Sequence, residues 1–214
     1  MQPVTDANAA AQPIVMIIDD DDLIRGAMNS LFRSIGLRTA TFDSAQAFLD
    51  DKLPDAPSCL VVDVRMPKMS GLDLQNELIS RGIRIPVIMM TGHGDIPMTV
   101  RAMKAGAVDF LAKPFRDQDI IDAVTAALAR DDKRRQSETG LAGIRDKFET
   151  LTPRERQVMS LVTSGLMNKQ VAGELGLSEI TVKLHRANAM KKMGARTLAD
   201  LVRMSESLRD DAND

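Results

Sequence analysis

Between residues 14 and 130 the chain alternates short apolar runs with longer amphipathic stretches. Ile14–Ile18, Cys59–Val62 and Val87–Met90 are almost uninterrupted, and Arg38–Phe42 and Asp109–Leu111 are weaker runs of the same kind. Such runs predict strands. Between them apolar positions return at helical spacing: Leu23, Ala27, Leu31 and Ile35; Ala45, Phe48 and Leu49; Leu72, Leu74, Leu78 and Ile79; Val100 and Met103, next to Lys104; Ile120, Ile121, Val124 and Leu128. The pattern predicts five β-α units. Near-continuous apolar strands predict a parallel sheet covered by helices on both faces, a doubly wound α/β fold. Gly36, Gly82 and Gly106 fall where helices should end, as C-cap residues do.

The pattern changes after residue 130. Asp131–Arg135 is a charge run and Gln136–Gly140 is polar, so residues 131–147 read as a linker that continues the last helix for a turn or two. Residues 148–208 contain no strand-like run and predict four helices, at about 153–164, 168–175, 179–192 and 197–208. The flanking segments 1–13 and 209–214 are expected to be disordered tails, the second of them acidic.

Composition sharpens this division. The net charge of −2 conceals −5 over residues 1–128 and +5 over residues 151–204. An acidic first part and a basic second part predict two jobs, one of them involving nucleic acid. One cysteine, Cys59, excludes an intrachain disulfide and a cysteine-rich zinc site, and fits a reducing cytoplasm. Cys59 is expected to be a buried strand residue. The absence of Trp and Tyr argues against stacking platforms for single strands. Met1–Pro13 has no basic residue and no apolar core, unlike a signal peptide, and no apolar run is long enough to span a membrane.

In open parallel sheets, ligands bind at the carboxyl ends of the strands. The first strand ends in Asp19 and Asp20, the third in Asp63 and the fourth in Thr91, and the fifth runs into Lys113-Pro114. Three carboxylates, a hydroxyl and an ammonium group are thereby directed to one rim. Alone, Asp19–Asp22 reads as a solvated acidic run and Thr91 as an ordinary strand end. Together they form a chemical set. Clustered carboxylates suit Mg²⁺. A carboxylate can attack phosphorus to give an aspartyl phosphate. The transferring group then needs a cation such as Lys113 and a donor such as Thr91.

These residues carry a resemblance. Ile-Ile-Asp19-Asp20, Val-Val-Asp63-Val-Arg65-Met-Pro67-Lys-Met-Ser-Gly71, Met-Met-Thr91-Gly and Ala-Lys113-Pro114-Phe, with Asp63 28 residues before Thr91 and 50 before Lys113, resemble the receiver domain of two-component response regulators. Thr91-Gly-His93-Gly-Asp-Ile-Pro-Met98 and Ala102-Met-Lys-Ala-Gly-Ala-Val-Asp-Phe110 narrow the resemblance to the FixJ type. The resemblance implies a flavodoxin-like receiver over residues 14–130, with a cis bond before Pro114. It implies that Asp63 accepts a phosphoryl group from a sensor histidine kinase. Asp20, Asp63 and the backbone carbonyl of Arg65 would bind Mg²⁺, and Asp19 would support the metal through water. Lys113 would pair with the phosphoryl group, Thr91 would move toward it, and Phe110, standing where many relatives carry Tyr, would change rotamer. His93 is expected to be a loop residue that at most tunes phosphate lifetime.

In the basic part, Val171, Ala172 and Leu175 give one helix an apolar face, Gly176 permits a turn, and Ser178 can N-cap a second helix. The second helix is rich in polar and basic groups, and a helix of this width fits the major groove. Leu151-Thr-Pro-Arg-Glu155-Arg-Gln-Val, Asn168-Lys and Thr181-Val-Lys183-Leu184-His185-Arg186 resemble the LuxR-type helix–turn–helix domain. The DNA-contact candidates are Lys183, Leu184, His185, Arg186, Asn188, Lys191 and Lys192. Glu155 is expected to be structural, and Ala187 stands where some relatives carry a basic base reader.

The expectation is a cytoplasmic transcription regulator, not an enzyme beyond its own phosphorylation and dephosphorylation. Phosphorylated on Asp63, it would form a homodimer through the fourth-helix to fifth-helix face and bind double-stranded promoter DNA. Two other readings stay open on the residues alone. One is an aspartate-nucleophile phosphatase, although such enzymes place the nucleophile on the first strand and here it lies on the third. The other is a phospho-dependent module whose helical part binds protein.

Overall fold

A computed structural model describes residues 12–92 and 96–211. His93 and the outer parts of both expected tails lie outside the described residues. The chain divides into two compact units, Met1–Arg135 and Gln136–Asp214.

The first unit is built on five strands: β1 (Ile14–Ile18), β2 (Arg38–Phe42), β3 (Ser58–Asp63), β4 (Val87–Thr91) and β5 (Asp109–Ala112). All neighbouring strands are parallel, in the order β2-β1-β3-β4-β5. Period-two alternation splits each central strand between two cores. Met16, Ile18, Leu60, Val62 and Met89 pack with α2 (Ala45–Leu49), α3 (Gly71–Ser80) and α4 (Ile96–Lys104). Val15, Ile17, Val61, Ile88 and Met90 face the other way, onto α1 (Asp22–Ser34) and the first turns of α5 (Asp117–Glu149). Gly36, Gly82 and Gly106 all have positive φ, as helix-ending glycines should.

The helix α1 corrects one expectation. Of the row Leu23, Ala27, Leu31 and Ile35 only Leu31 packs against the core: Leu23 is 83 % exposed, and Met28 and Phe32 are the buried residues. The helix carries two apolar rows one residue apart, and the one with the bulkier Phe32 goes inward. On α4 the inward residue is Ala102, while Val100 and Met103 are exposed.

The expected linker is helical. The helix α5 runs unbroken for 33 residues to Glu149, far beyond a turn or two past residue 130. Within the first unit its charge run contains a buried carboxylate. Asp131 is fully buried and accepts hydrogen bonds from the Ser58 backbone N–H (2.9 Å), Arg134 Nη2 (2.5 Å) and Arg135 Nε (2.8 Å). Arg135 reaches on to Asp55 and the Pro54 carbonyl. Beside this cluster Cys59 is buried as expected, and burial together with the Asp131 charge pushes its thiol up to about 12, so it stays protonated and unreactive.

The second unit contains α6 (Pro153–Thr163), α7 (Asn168–Leu175), α8 (Glu179–Met193) and α9 (Leu198–Asp211), close to the expected bounds. The exception is α9, which takes in the first residues of the expected acidic tail, through Asp211. Val158, Val162, Val171, Val182, Ala189 and Leu201 form the core.

Candidate functional site

The order β2-β1-β3 reverses the chain's direction of travel at β1, so β1 and β3 lie side by side with their carboxyl ends at a topological switch point. Their last residues meet there. Asp19, just past β1, is 1 % exposed, and Asp63, ending β3, is 7 % exposed. Lys113 Nζ, arriving from beyond β5, donates to Asp19 Oδ2 at 2.8 Å and to Asp63 Oδ1 at 2.7 Å. Burial opposes the Lys113 charge, but hydrogen bonds and attraction from both carboxylates outweigh it and hold the ammonium above its usual range. The Lys113-Pro114 peptide bond is cis, as the resemblance implied.

Backbone donors orient both carboxylates. Arg65 N–H donates to Asp63 Oδ2 at 2.7 Å, and Asp21 N–H donates to Asp19 Oδ1 at 2.9 Å. A carboxylate oxygen has two lone pairs. One such bond therefore leaves each Asp63 oxygen able to bond again. The loop after β3 must stay close for this geometry. A Cβ on Gly71 would lie 2.6 Å from the Asp63 carbonyl oxygen, so this motif position admits no side chain without backbone movement. Thr91 is fully buried at the end of β4, and its carbonyl accepts from Lys113 N–H at 2.7 Å. Phe110 on β5 is half-buried against the β4–α4 side of the core. Arg25, which no motif in the sequence singled out, ion-pairs with Asp22 and donates to the Asp19 carbonyl at 2.6 Å.

Asp20 is exposed at the rim, and its side chain has no hydrogen bond or ion pair among the described residues. Because Lys113 joins Asp19 to Asp63 and Asp20 stands apart, no three acidic side chains of the described residues gather around one point. The donor set still fits a hard divalent cation. Its ligands are all oxygens, and three carboxylates against one ammonium leave two negative charges uncompensated at one edge.

The second unit presents a different surface. A Thr152–Glu155 capping box starts α6, and Glu155 Oε2 also accepts from Lys192 Nζ at 2.7 Å. The hydrogen bond from Lys192 chiefly, with those from Thr152, holds the Glu155 carboxyl below its usual range. Lys192 also donates to the Thr150 carbonyl at 3.2 Å, so the exposed residue is tied to the start of α6. Gly176, with φ of 64°, ends α7 and makes the turn, and Ser178 caps α8 by accepting from Thr181 N–H at 3.1 Å. On α8, Lys183, Leu184 and Lys191 are exposed, while His185, Arg186 and Asn188 are half-buried. Arg186 donates to Asn168 Oδ1 at 3.2 Å, which ties α8 to α7. Ile180 is 80 % exposed and shares the stripe of Lys183, Leu184, Ala187 and Lys191. Sequence reasoning did not single it out as a contact because an apolar residue on an amphipathic helix reads as core.

The two units match two families. Residues 15–125 match the response regulator receiver domain, and residues 149–205 match the bacterial regulatory proteins of the luxR family. Nodulation protein W of Bradyrhizobium diazoefficiens is 58 % identical over 96 % of this chain and 90 % of its own length. The transcriptional regulatory protein FixJ of Azorhizobium caulinodans is 48 % identical over 89 % of this chain and 90 % of its own. The chain belongs to the FixJ-like response regulators. Among solved structures, response regulator StyR is 48 % identical, with a TM-score of 0.82 over 92 % of this chain and 99 % of that one. As a FixJ-like regulator the chain is a two-component transcriptional regulator, with a receiver and a LuxR-type DNA-binding output domain. No helix among the described residues is long and apolar enough to cross a membrane.

Proposed function

We propose that Asp63 is the phosphoacceptor of this regulator and that its phosphorylation controls binding to promoter DNA. The observation that carries the reading is the Asp63 carboxylate itself. It is nearly buried at a sheet switch point, oriented by Arg65 N–H and neutralised by Lys113. An Asp63 oxygen forms a bond to phosphorus as the P–N bond to a phosphohistidine of a sensor kinase breaks, and the imidazole nitrogen keeps the electron pair. Lys113 is placed to pair with the added charge, and Thr91 and Phe110 are the neighbours through which the change reaches the α4–β5–α5 face. Asp20, Asp63 and the Arg65 carbonyl would hold Mg²⁺, with Asp19 behind them. Bound there, the ion supplies charge neutralisation to the phosphoryl oxygens. Apart from this transfer and the later hydrolysis of its own aspartyl phosphate, the chain carries no turnover in this reading.

Val100 and Met103, exposed and apolar on α4, support dimerisation through that face. Two tethered output domains then meet two half-sites together, and effective concentration raises affinity. Lys183, Leu184 and Lys191 are the proposed DNA contacts, with His185, Arg186 and Asn188 flanking them and Arg186 acting from its anchor on Asn168. Lys192 is assigned to the Glu155 pair instead. The site of action is the cytoplasm.

The test is the solution mass and duplex-DNA affinity of the wild type and Asp63→Asn with Mg²⁺, with and without beryllium fluoride, a phosphoryl mimic. Dimerisation and tighter DNA binding confined to the wild type are expected. The same response in Asp63→Asn, or none in either, would overturn the proposal.

A further inference from the structure

Arg25 stands in an unfavourable place. It ends the first turn of α1, where the helix dipole opposes a cation. Its side chain is also only 16 % exposed. Solvation does not account for such a position, but its contacts do. The guanidinium spans two groups at the entrance to the helix. Nη1 donates to the Asp19 carbonyl at 2.6 Å, and Nη2 pairs with Asp22, whose side chain is almost fully exposed.

The Asp19 carbonyl belongs to the peptide that leads into Asp20. On the far side of Asp20, Asp21 N–H donates to Asp19 Oδ1 at 2.9 Å, and the Asp21 carboxylate caps α1 by accepting from Leu23 N–H at 2.8 Å. The Asp20 side chain has no hydrogen bond or ion pair among the described residues, yet its backbone is held from both sides. A free carboxylate on a fixed backbone suits a ligand that must meet an ion arriving from solvent. On a loose backbone the ion would have to order the residue itself, at a cost of about tenfold in affinity.

We propose that Arg25 is a positioning residue for the divalent cation. It holds the Asp19–Asp20 peptide in place so that Asp20 can reach the ion, and Asp22 steadies the guanidinium. The inference rests on the reading of Asp20 and Asp63 as cation ligands. Charge alone argues for the opposite effect. A cation beside the site repels a divalent ion, so removing a purely electrostatic Arg25 would tighten binding.

The test is a Mg²⁺ titration of the full ¹³C,¹⁵N-labelled chain, followed at the amides of Asp20, Asp21 and Arg65. Kd should rise about tenfold in Arg25→Ala. In Arg25→Lys, which keeps the charge and loses the planar fork, it should rise by part of that. Before any ion is added, the ¹³C shift of the Asp19 carbonyl should move upfield in Arg25→Ala. That marks the lost hydrogen bond, which a general loss of stability would not do. Unchanged or tighter Mg²⁺ binding by folded Arg25→Ala would overturn the proposal. If Arg25→Ala does not fold, unchanged binding by Arg25→Lys would overturn it. Asp20→Asn separates this inference from the reading beneath it. Saturable shifts in the wild type that Asp20→Asn weakens uphold the cation site whatever the Arg25 variants show. A wild type without saturable shifts, or one matched by Asp20→Asn, removes Asp20 as a cation ligand and this proposal with it.

Discussion

Asp131→Ala removes a fully buried carboxylate that joins the middle of α5 to the first residue of β3. Two costs follow. The Ser58 backbone N–H loses its acceptor in a buried position, which costs roughly 1–3 kcal/mol. Arg134 and Arg135, 28 % and 26 % exposed, lose a charged partner. Their exposure lets water recover part of that loss. Breaking a buried pair by deleting one partner costs about 3–5 kcal/mol, and partial solvation places this case at about 3 kcal/mol. For a unit of this size the melting transition should fall by roughly 10 °C. With no Trp or Tyr in the chain, the assay is calorimetry or far-ultraviolet circular dichroism. The transition of the first unit should move while that of the second stays. A double-mutant cycle with Arg135→Ala isolates the pair. A loss below about 0.5 kcal/mol, the level of an ordinary surface substitution, would show that the buried Asp131 network adds little to stability.

Other perturbations test other parts of the structure. The Glu155 carboxyl sits below its ordinary 4.5, chiefly through the Lys192 hydrogen bond. Its contribution is therefore complete above that value and is lost as pH falls through the lower folded value. Acid unfolding of the second unit in that window should become shallower in Glu155→Gln, and an unchanged slope would show that the pair carries no linkage. Gly71→Ala forces a Cβ against the Asp63 carbonyl oxygen, an overlap with backbone that should cost about 1–3 kcal/mol. Denaturant unfolding measures the cost, and a stability equal to the wild type would contradict the close approach. In α5, Gly140 and Gly143 have open space where a Cβ would stand and no positive φ. Changing each to Ala should raise stability by about 0.5–1 kcal/mol, read by the same method.

Much of this architecture is legible in the residues because the signals are local. Almost uninterrupted apolar runs marked β1, β3 and β4, weaker runs marked β2 and β5, and Gly36, Gly82 and Gly106 marked three helix ends. The carboxylate rim was legible because the parallel topology puts Asp19, Asp63, Thr91 and Lys113 at the same sheet edge. Long-range pairing was not legible. Asp131 read only as part of a linker's charge run because its partner is a backbone N–H that lies 73 residues away in sequence. The same charge run hid the continuation of α5, although Asp131 pairs with Arg134 and Arg135 at helical spacing and Ile144 and Phe148 later supply apolar contacts. The Lys192–Glu155 pair was likewise not legible: Lys192 read as one DNA-contact candidate among basic neighbours, and its partner lies on another helix. On α1 two overlapping apolar rows were both helical in spacing, and only packing against the sheet distinguishes them.

The most direct measurement is intact-mass analysis of the wild type and Asp63→Asn after incubation with acetyl phosphate and Mg²⁺. The mass of one added phosphoryl group is expected on the wild type and none on the variant. An equal gain on Asp63→Asn, or no gain on a folded wild type, would contradict the assignment of Asp63 as the phosphoacceptor.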